Sequence, residues 1–484
     1  MSAPGVAGSA GSVGGSPGGV VAPSREDPLV ATLSAVVGGP GGRRVRAGRH
    51  GWWTAVRVLV VLAVVVLALG VVEKQHCRAQ GWSSPDQFFH GCYSDLPIVY
   101  QSSGLRAGLT PYATTDPARL DQPVLTGLAL GGIATVVPDG GLRQQTRWYF
   151  DSSTAVIALL LVALVALTAA GAGRRRPWDA ALVALCPLIA LSALVSLDLL
   201  GVTLAAGGLL AWARRRPVLA GVLLGLAVMA RTYPALLVLV LGLLALRAGR
   251  LREWSRTAGV AAGTCFAVLA PWLLLRAGGV FAAYGAWGRA PAGYGSPWLL
   301  PQTLFAEPRP RWMVRAGLHA VTVPTGLVTA LAVAGILAAL LLGAHLALAS
   351  DRRPRVAQVA FVVLAVVVLT GRAWPVQASL WLLPLAALAR PRWRDHLVWV
   401  GAEAAYFMAV WLYVAAGTNA TRALPATWYS VFLIARAAGL LWLVWCVVRD
   451  VRDPVRDVVR RDGQDDPLGG PLAHAPDALV VRLD

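Results

Sequence analysis

The run VRVLVVLAVVVLALGVV, Val56 to Val72, restricts this chain more than any other stretch. Together with STAVIALLLVALVALTAAG, Ser153 to Gly171, it is long enough to cross a hydrocarbon core. No backbone group can go unpaired in lipid, and nothing in the chain alternates as barrel strands do, so the spans must be helices. Composition agrees. Of 484 residues, 57% are hydrophobic and 14% charged, where a soluble domain sits near half and a quarter. The sequence reads as an all-α polytopic membrane protein.

A formal net charge of +19 invites a nucleic-acid reading, but the distribution opposes it. Arg174-Arg175-Arg176, Arg214-Arg215-Arg216, the run RAGRLREWSR and DRRPR each sit between apolar spans. Basic residues held in short loops are the positive-inside signature, so membrane lipid is the expected partner and nucleic acid is not.

Residues 1–50, rich in Gly, Ser, Ala and Pro, read as a disordered cytoplasmic arm. The arm is too long and too polar for a cleaved signal peptide. Residues 51–448 read as a membrane domain of about twelve crossings, with 73–122 and 276–321 as long extracytoplasmic loops. Spans are expected near 52–72, 148–171, 178–195, 199–213, 217–230, 234–247 and 257–275, then near 322–349, 356–371, 376–390, 397–416 and 428–448. Leu125 to Val137 is too short for an untilted span and reads as a half-helix. Residues 449–484 read as a charged, solvated cytoplasmic tail. Both termini are then cytoplasmic, in a multi-pass plasma-membrane protein. The parity of the helices between 122 and 247 is left open by the pattern.

Cys186, Cys265 and Cys446 lie in apolar runs as small hydrophobes. Cys77 and Cys92 flank the first external loop and read either as a disulfide or as two free thiols. There is no CxxC and no His/Cys ligand cluster, so no metal site is expected.

The polar residues expected on the external face are few. Asp95, in GCYSDLPIVYQSSGL beside Tyr93, reads as a partly desolvated general base or as part of a helix N-cap with Ser94. Asp121, two residues before Pro123, reads as a helix start or as a ligand for a sugar hydroxyl or cation. Asp198 lies between two apolar runs, where an ionisable group defaults to a functional assignment unless a turn carries it to the surface. Arg231, in ARTYP with Tyr233, sits far from every basic cluster; it reads as a ligand for a lipid-linked phosphate or as a snorkelling side chain. Arg372 repeats that logic, Gln377 is suited to a sugar hydroxyl, and Trp374 and Trp381 to a sugar face, Trp374 being the one singled out. Tyr284, Trp287 and Tyr294 in the second long loop would cover an acceptor. No nucleophile elbow, P-loop or HExxH is present.

Four stretches resemble glycosyltransferase family 87 of the GT-C superfamily, the polyprenyl-phosphate-mannose-dependent α-mannosyltransferases of high-GC bacteria. They are CYSDLPIVY with PVLTG downstream, RRPWDAALVALCPLIALSALVSLDLLGV, GVLLGLAVMARTYPALLVL and RAWPVQASLWLLPL. Two stretches depart from the family pattern: its Glu-Tyr-Pro is Asp121-Gln122-Pro123 here, and its Ser-Pro-Gln-Tyr is Pro375-Val376-Gln377-Ala378. The resemblance implies a GT-C-like bundle with a long first extracytoplasmic loop. It further implies inverting transfer of a sugar, mannose by family, from a polyprenyl-phosphate donor to a glycolipid or glycan acceptor. Asp95 falls at the family's catalytic position. Tyr93, Asp121, Asp198, Arg231, Tyr233, Arg372 and Gln377 become substrate-binding candidates, and no cofactor beyond the lipid-linked donor is implied. The rival class is a lipid or small-solute transporter or flippase, which would favour two similar halves with matched broken helices. No such repeat stands out.

Overall fold

The computed structural model describes residues 27–38, 54–107, 120, 122–307, 311–419, 421–460 and 464–481, with the side chains of 34–38, 107, 276–284 and 286–287 left aside. Among the described residues all regular structure is helical. We number the thirteen helices used below α1 (Ala55–Gln80), α2 (Asp95–Ser102), α3 (Val124–Ala134), α4 (Leu142–Gly171), α5 (Asp198–Ala213), α6 (Pro217–Ala230), α7 (Pro234–Arg247), α8 (Leu251–Arg289), α9 (Thr325–Ala349), α10 (Val356–Leu369), α11 (Ala378–Ala389), α12 (Trp393–Ala415) and α13 (Ala426–Arg452). Six helices among the described residues (α1, α4, α8, α9, α12 and α13) are long and apolar enough to cross a membrane.

Helix α1 shows how a uniformly apolar run acquires two faces. Leu59, Ala63, Leu67, Gly70, Lys74 and Cys77 are buried at steps of three and four, while Val61, Val65, Leu69 and Val72 stay exposed. The inward stripe follows the helical period, and the outward one is apolar because its solvent is lipid. Small residues set the closest approaches. A Cβ on Gly221 or Gly225 of α6 would stand 2.6 Å from the carbonyl oxygen of Thr257 or Ala261 on α8. This Gly-x-x-x-Gly stripe lets the two backbones touch.

The expected span at 178–195 is a correction. It is three short pieces, Pro177–Ala180, Ala181–Ala184 and Pro187–Ser192, rather than one helix. Pro187 lacks the N–H that would continue the ladder. Leu182, Val183, Ile189, Leu194 and Val195 are buried in protein, so the segment is apolar through packing, and irregular backbone is tolerated there. One end lies at the arginine-rich pole, where Arg176 reaches the Val458 carbonyl, and the other at the pole of Asp95, whose N–H donates to Val195.

From there α5, α6 and α7, of 16, 14 and 14 residues, run alternately between the two poles. Helix α3 has 11 residues, a rise of about 16 Å, and remains a half-helix as expected. The open parity is thereby resolved within the bundle, with Arg176 and Arg247 at the same pole. A second correction concerns 276–321. Helix α8 runs on to Arg289, so the loop is shorter than expected.

Both tails also differ from expectation. Within the arm read as disordered, Pro28–Gly38 is helical, and Asp27 accepts the backbone N–H of Trp393. The C-terminal segment is packed rather than solvated. Leu468 and Leu472 join the main core, Arg355 is held by Asp457 at 2.7 and 3.0 Å, and Asp477 meets Arg247 at 2.7 Å and Arg353 at 3.0 Å. The acidic residues that looked like a solvated tail are the counter-charges of the loop arginines.

Candidate functional site

At the opposite pole, five separated segments bring polar side chains together. Helix α2 supplies Asp95 at its first position. Its cap is Ser94, whose hydroxyl accepts the Leu96 N–H and donates to the Leu194 carbonyl at 2.7 Å. The capping role expected of Ser94 and Asp95 jointly therefore falls to Ser94, and the Asp95 carboxylate is left for other partners. Tyr93 donates to Asp95 Oδ1 at 2.6 Å, and Gln377 Nε2 lies 3.5 Å from Oδ2. The Tyr93 ring is held by Trp411, with centroids 4.5 Å apart, and by Phe88 at 5.5 Å.

Asp95 is half-buried. Burial pushes its carboxyl above the ordinary range and the nearby Asp198 charge adds to this, while the Tyr93 hydrogen bond and the Arg231 charge pull the other way. Burial also raises the Tyr93 hydroxyl, with Asp95 adding to the effect, so tyrosine is the donor of the pair.

Asp198 opens α5 and is fully buried. It is bridged to Arg231, which follows the last residue of α6, with Arg231 Nε 2.9 Å from Oδ1. Ser196 donates to Oδ1 at 2.6 Å and the Trp381 indole to Oδ2 at 2.5 Å. Arg231 Nη1 donates to Gln122 Oε1 at 2.7 Å, which ties in the start of α3. Thr126 of α3 donates to the Ala230 carbonyl at 2.6 Å and fixes that helix against the end of α6. The Tyr233 ring stacks on Trp381, with centroids 5.2 Å apart and planes at 11°. Below this stack an apolar seam lined by Leu167, Val202, Leu209, Leu237 and Leu385 runs down to Leu468.

The structure thus gathers Tyr93, Asp95, Asp198, Arg231, Tyr233 and Gln377. It diverts Arg372, whose guanidinium donates to the carbonyls of Ala290 and Gly288 and to the Thr329 hydroxyl. Asp121 lies outside the described residues. Trp374, expected to offer a sugar face, is fully buried with the Arg436 guanidinium 3.9 Å from its ring centroid, so it is a packing residue. Tyr294 stands edge-on to Tyr413 at 6.1 Å and is half exposed; the side chains of Tyr284 and Trp287 lie outside the described set. Cys77 and Cys92 are joined as a disulfide.

Sequence reasoning missed Gln122 and Ser196, and of the two rings suited to a sugar face it singled out Trp374 and set aside Trp381. A usable signal existed for the last: Gln377 and Trp381 are four apart at the start of α11, so they share a face. Gln377 reaches Asp95 while Trp381 reaches Asp198. It also missed Glu403 on α12 and Arg436 on α13, a fully buried pair 2.9 Å apart.

Chemically, the site offers two carboxylates, one guanidinium, two amides and stacked aromatic rings at the end of a membrane-type bundle. Carboxylates and amides bind hydroxyl groups, and a half-buried carboxylate can accept a proton. The fold and site define an all-helical, multi-pass membrane protein with a polar centre at one pole. No protein-family model and no curated protein matches the chain.

Proposed function

We propose that this protein is a membrane glycosyltransferase that transfers a sugar, mannose by resemblance, from a polyprenyl-phosphate donor to an extracytoplasmic glycolipid or glycan acceptor. The observation that carries the reading is the convergence of Asp95 with the Asp198–Arg231–Trp381 group, because it pairs a proton acceptor with a hydroxyl-binding surface beside lipid.

In this reading the acceptor hydroxyl gives its proton to Asp95 as its oxygen bonds to C1 of the sugar. The C1–phosphate oxygen bond breaks on the opposite face, and polyprenyl phosphate leaves with the electron pair. A β-linked donor then yields an α-linked product. Asp198 holds the Arg231 guanidinium in place, and exchange of its Gln122 contact for a donor phosphate oxygen keeps the ion pair intact. The apolar seam beneath Tyr233 and Trp381 is in keeping with a lipid-linked substrate.

The rival reading, a lipid or small-solute transporter, draws support from the broken segment 177–195 and the intramembrane Glu403–Arg436 pair. One experiment separates the two. Wild type and Asp95→Asn protein in lipid nanodiscs receive radiolabelled polyprenyl-phosphate-mannose and an envelope lipid extract. Labelled product from wild type alone supports transfer with Asp95 as base. Equal product from both removes Asp95 from the mechanism. Absence of product with mannosyl and other polyprenyl-phosphate sugars favours transport.

A further inference from the structure

His76, Asp86 and His90 form a cluster that the proposed chemistry does not use. His76 lies in the last turn of α1. Asp86 begins the short helix Asp86–Phe89, and His90 follows it on the same face, four residues on. His76 Nε2 is 2.6 Å from Asp86 Oδ2, and His90 Nδ1 is 3.2 Å from Asp86 Oδ1. The imidazole rings stack with centroids 3.6 Å apart and planes at 20°. One donor atom from each of the three residues lies within 4.8 Å of the others, the one such set among the described residues.

We infer that His76, Asp86 and His90 bind a divalent transition metal of the zinc class. Two imidazoles and one carboxylate are a donor set that such ions take, with bonds of about 2.0–2.2 Å. Donors around a tetrahedral ion at that distance stand about 3.4 Å apart. The 3.2 Å separation already falls close to this, whereas the 2.6 Å contact must open and the widest, within 4.8 Å, must close. Metal binding therefore turns the two stacked imidazoles and exchanges the contact of His90 Nδ1 with the Asp86 carbonyl at 3.1 Å for the metal. All three side chains are between a third and a half exposed, which leaves a fourth position for water.

The frame is fixed beforehand. Cys77 adjoins His76, and Cys92 follows His90 by two residues, so the disulfide between them sets the approach of the two ligand-bearing segments. Less ordering is then required on metal binding. The ligand segment runs directly into Tyr93 and Asp95, and Phe88 within it stacks on Tyr93. The metal therefore acts as a second clamp on the segment that carries Asp95. It is a positioning device, and it does not depend on which substrate the site takes. The sequence hid it because the spacing His-x9-Asp-x3-His is no compact motif.

The test uses full-length protein carrying a non-histidine affinity tag, in nanodiscs, stripped with a chelator. Zinc is followed by calorimetric titration, and cobalt(II) by its visible absorption, which reports tetrahedral coordination. One equivalent should bind and raise the thermal midpoint. Loss of even an outer-shell partner costs about 10–100-fold in metal affinity, so His76→Ala, His90→Ala and Asp86→Asn should each weaken binding at least about tenfold. His319→Ala serves as control and should leave it unchanged. The stripped variants should match stripped wild type in circular dichroism; His76→Gln and His90→Gln repeat the comparison if an alanine variant misfolds. Absence of saturable uptake, or uptake that survives loss of His76 and of His90 in folded protein, overturns the assignment.

Discussion

Asp198 and Arg231 meet where two helices end: Asp198 is the first residue of α5, and Arg231 follows the last residue of α6. Carboxylate at a helix N-terminus and guanidinium at a C-terminus each complement the helix dipole, so the pair is favoured twice over. Gly201 makes room for it, since a Cβ there would stand 3.1 Å from Arg231 Cγ.

Breaking this pair from one side leaves an uncompensated buried charge. Arg231→Leu or Asp198→Leu should each destabilise the protein by about 3–5 kcal/mol. The double replacement should recover a large part of that loss. Denaturant melts of the three variants in one detergent check the pattern. If the double variant is as unstable as the sum of the singles, the two residues are not coupled.

Asp95→Asn keeps the shape of the side chain and its contact with Tyr93, so folding should be preserved. If Asp95 is the base of the proposed transfer, labelled product should fall by about 10²–10⁴-fold, the usual contribution of a positioned base. The pH profile adds a direction. A base acts only when deprotonated, and Asp95 is raised by burial, so activity should rise with pH through a limb above the normal carboxylate range. The Tyr93 hydrogen bond lowers that value, so Tyr93→Phe should move the limb to still higher pH. An unmoved limb would show that another group sets it.

Gly225 packs its backbone on α8, and a Cβ there would stand 2.6 Å from the Ala261 carbonyl oxygen. Backbone cannot yield as a side-chain tip does. Gly225→Val should therefore cost about 1–3 kcal/mol through overpacking. Gly263→Val on α8, where a Cβ meets nothing within 4 Å, is the matched control and should differ little from wild type in a thermal melt.

The C-terminal segment should come loose in acid. Burial alone would raise Asp457, but the charge and hydrogen bonds of Arg355 prevail and hold it below the ordinary carboxylate value. A depressed folded pKa stabilises above the unfolded pKa and is lost as pH falls through the folded one. Proteolysis of the tail should therefore accelerate below the normal carboxylate range, and Asp457→Asn should show the fast rate at neutral pH. A tail equally resistant in the variant would place its anchor elsewhere, at Leu468 and Leu472.

What the sequence settled by itself is what burial and lipid demand of single residues. Long apolar runs meant helices, and arginine clusters marked one pole. Asp198 and Arg231 stood out as charges beside apolar runs, and Asp95 and Gln377 as polar groups on turns at the membrane face, Asp95 chiefly through the family resemblance. The tertiary structure alone decided which of them share a site. Trp381 and Gln122 act through partners 183 and 109 residues away, and Arg372 is spent on carbonyls at the end of α8. It also decided what covers each apolar run. Val61 and Leu182 are equally hydrophobic in sequence, yet one is exposed on α1 and the other buried in a broken segment. An apolar side chain records that water is excluded without recording whether lipid or protein excludes it, and only the packed bundle distinguishes the two.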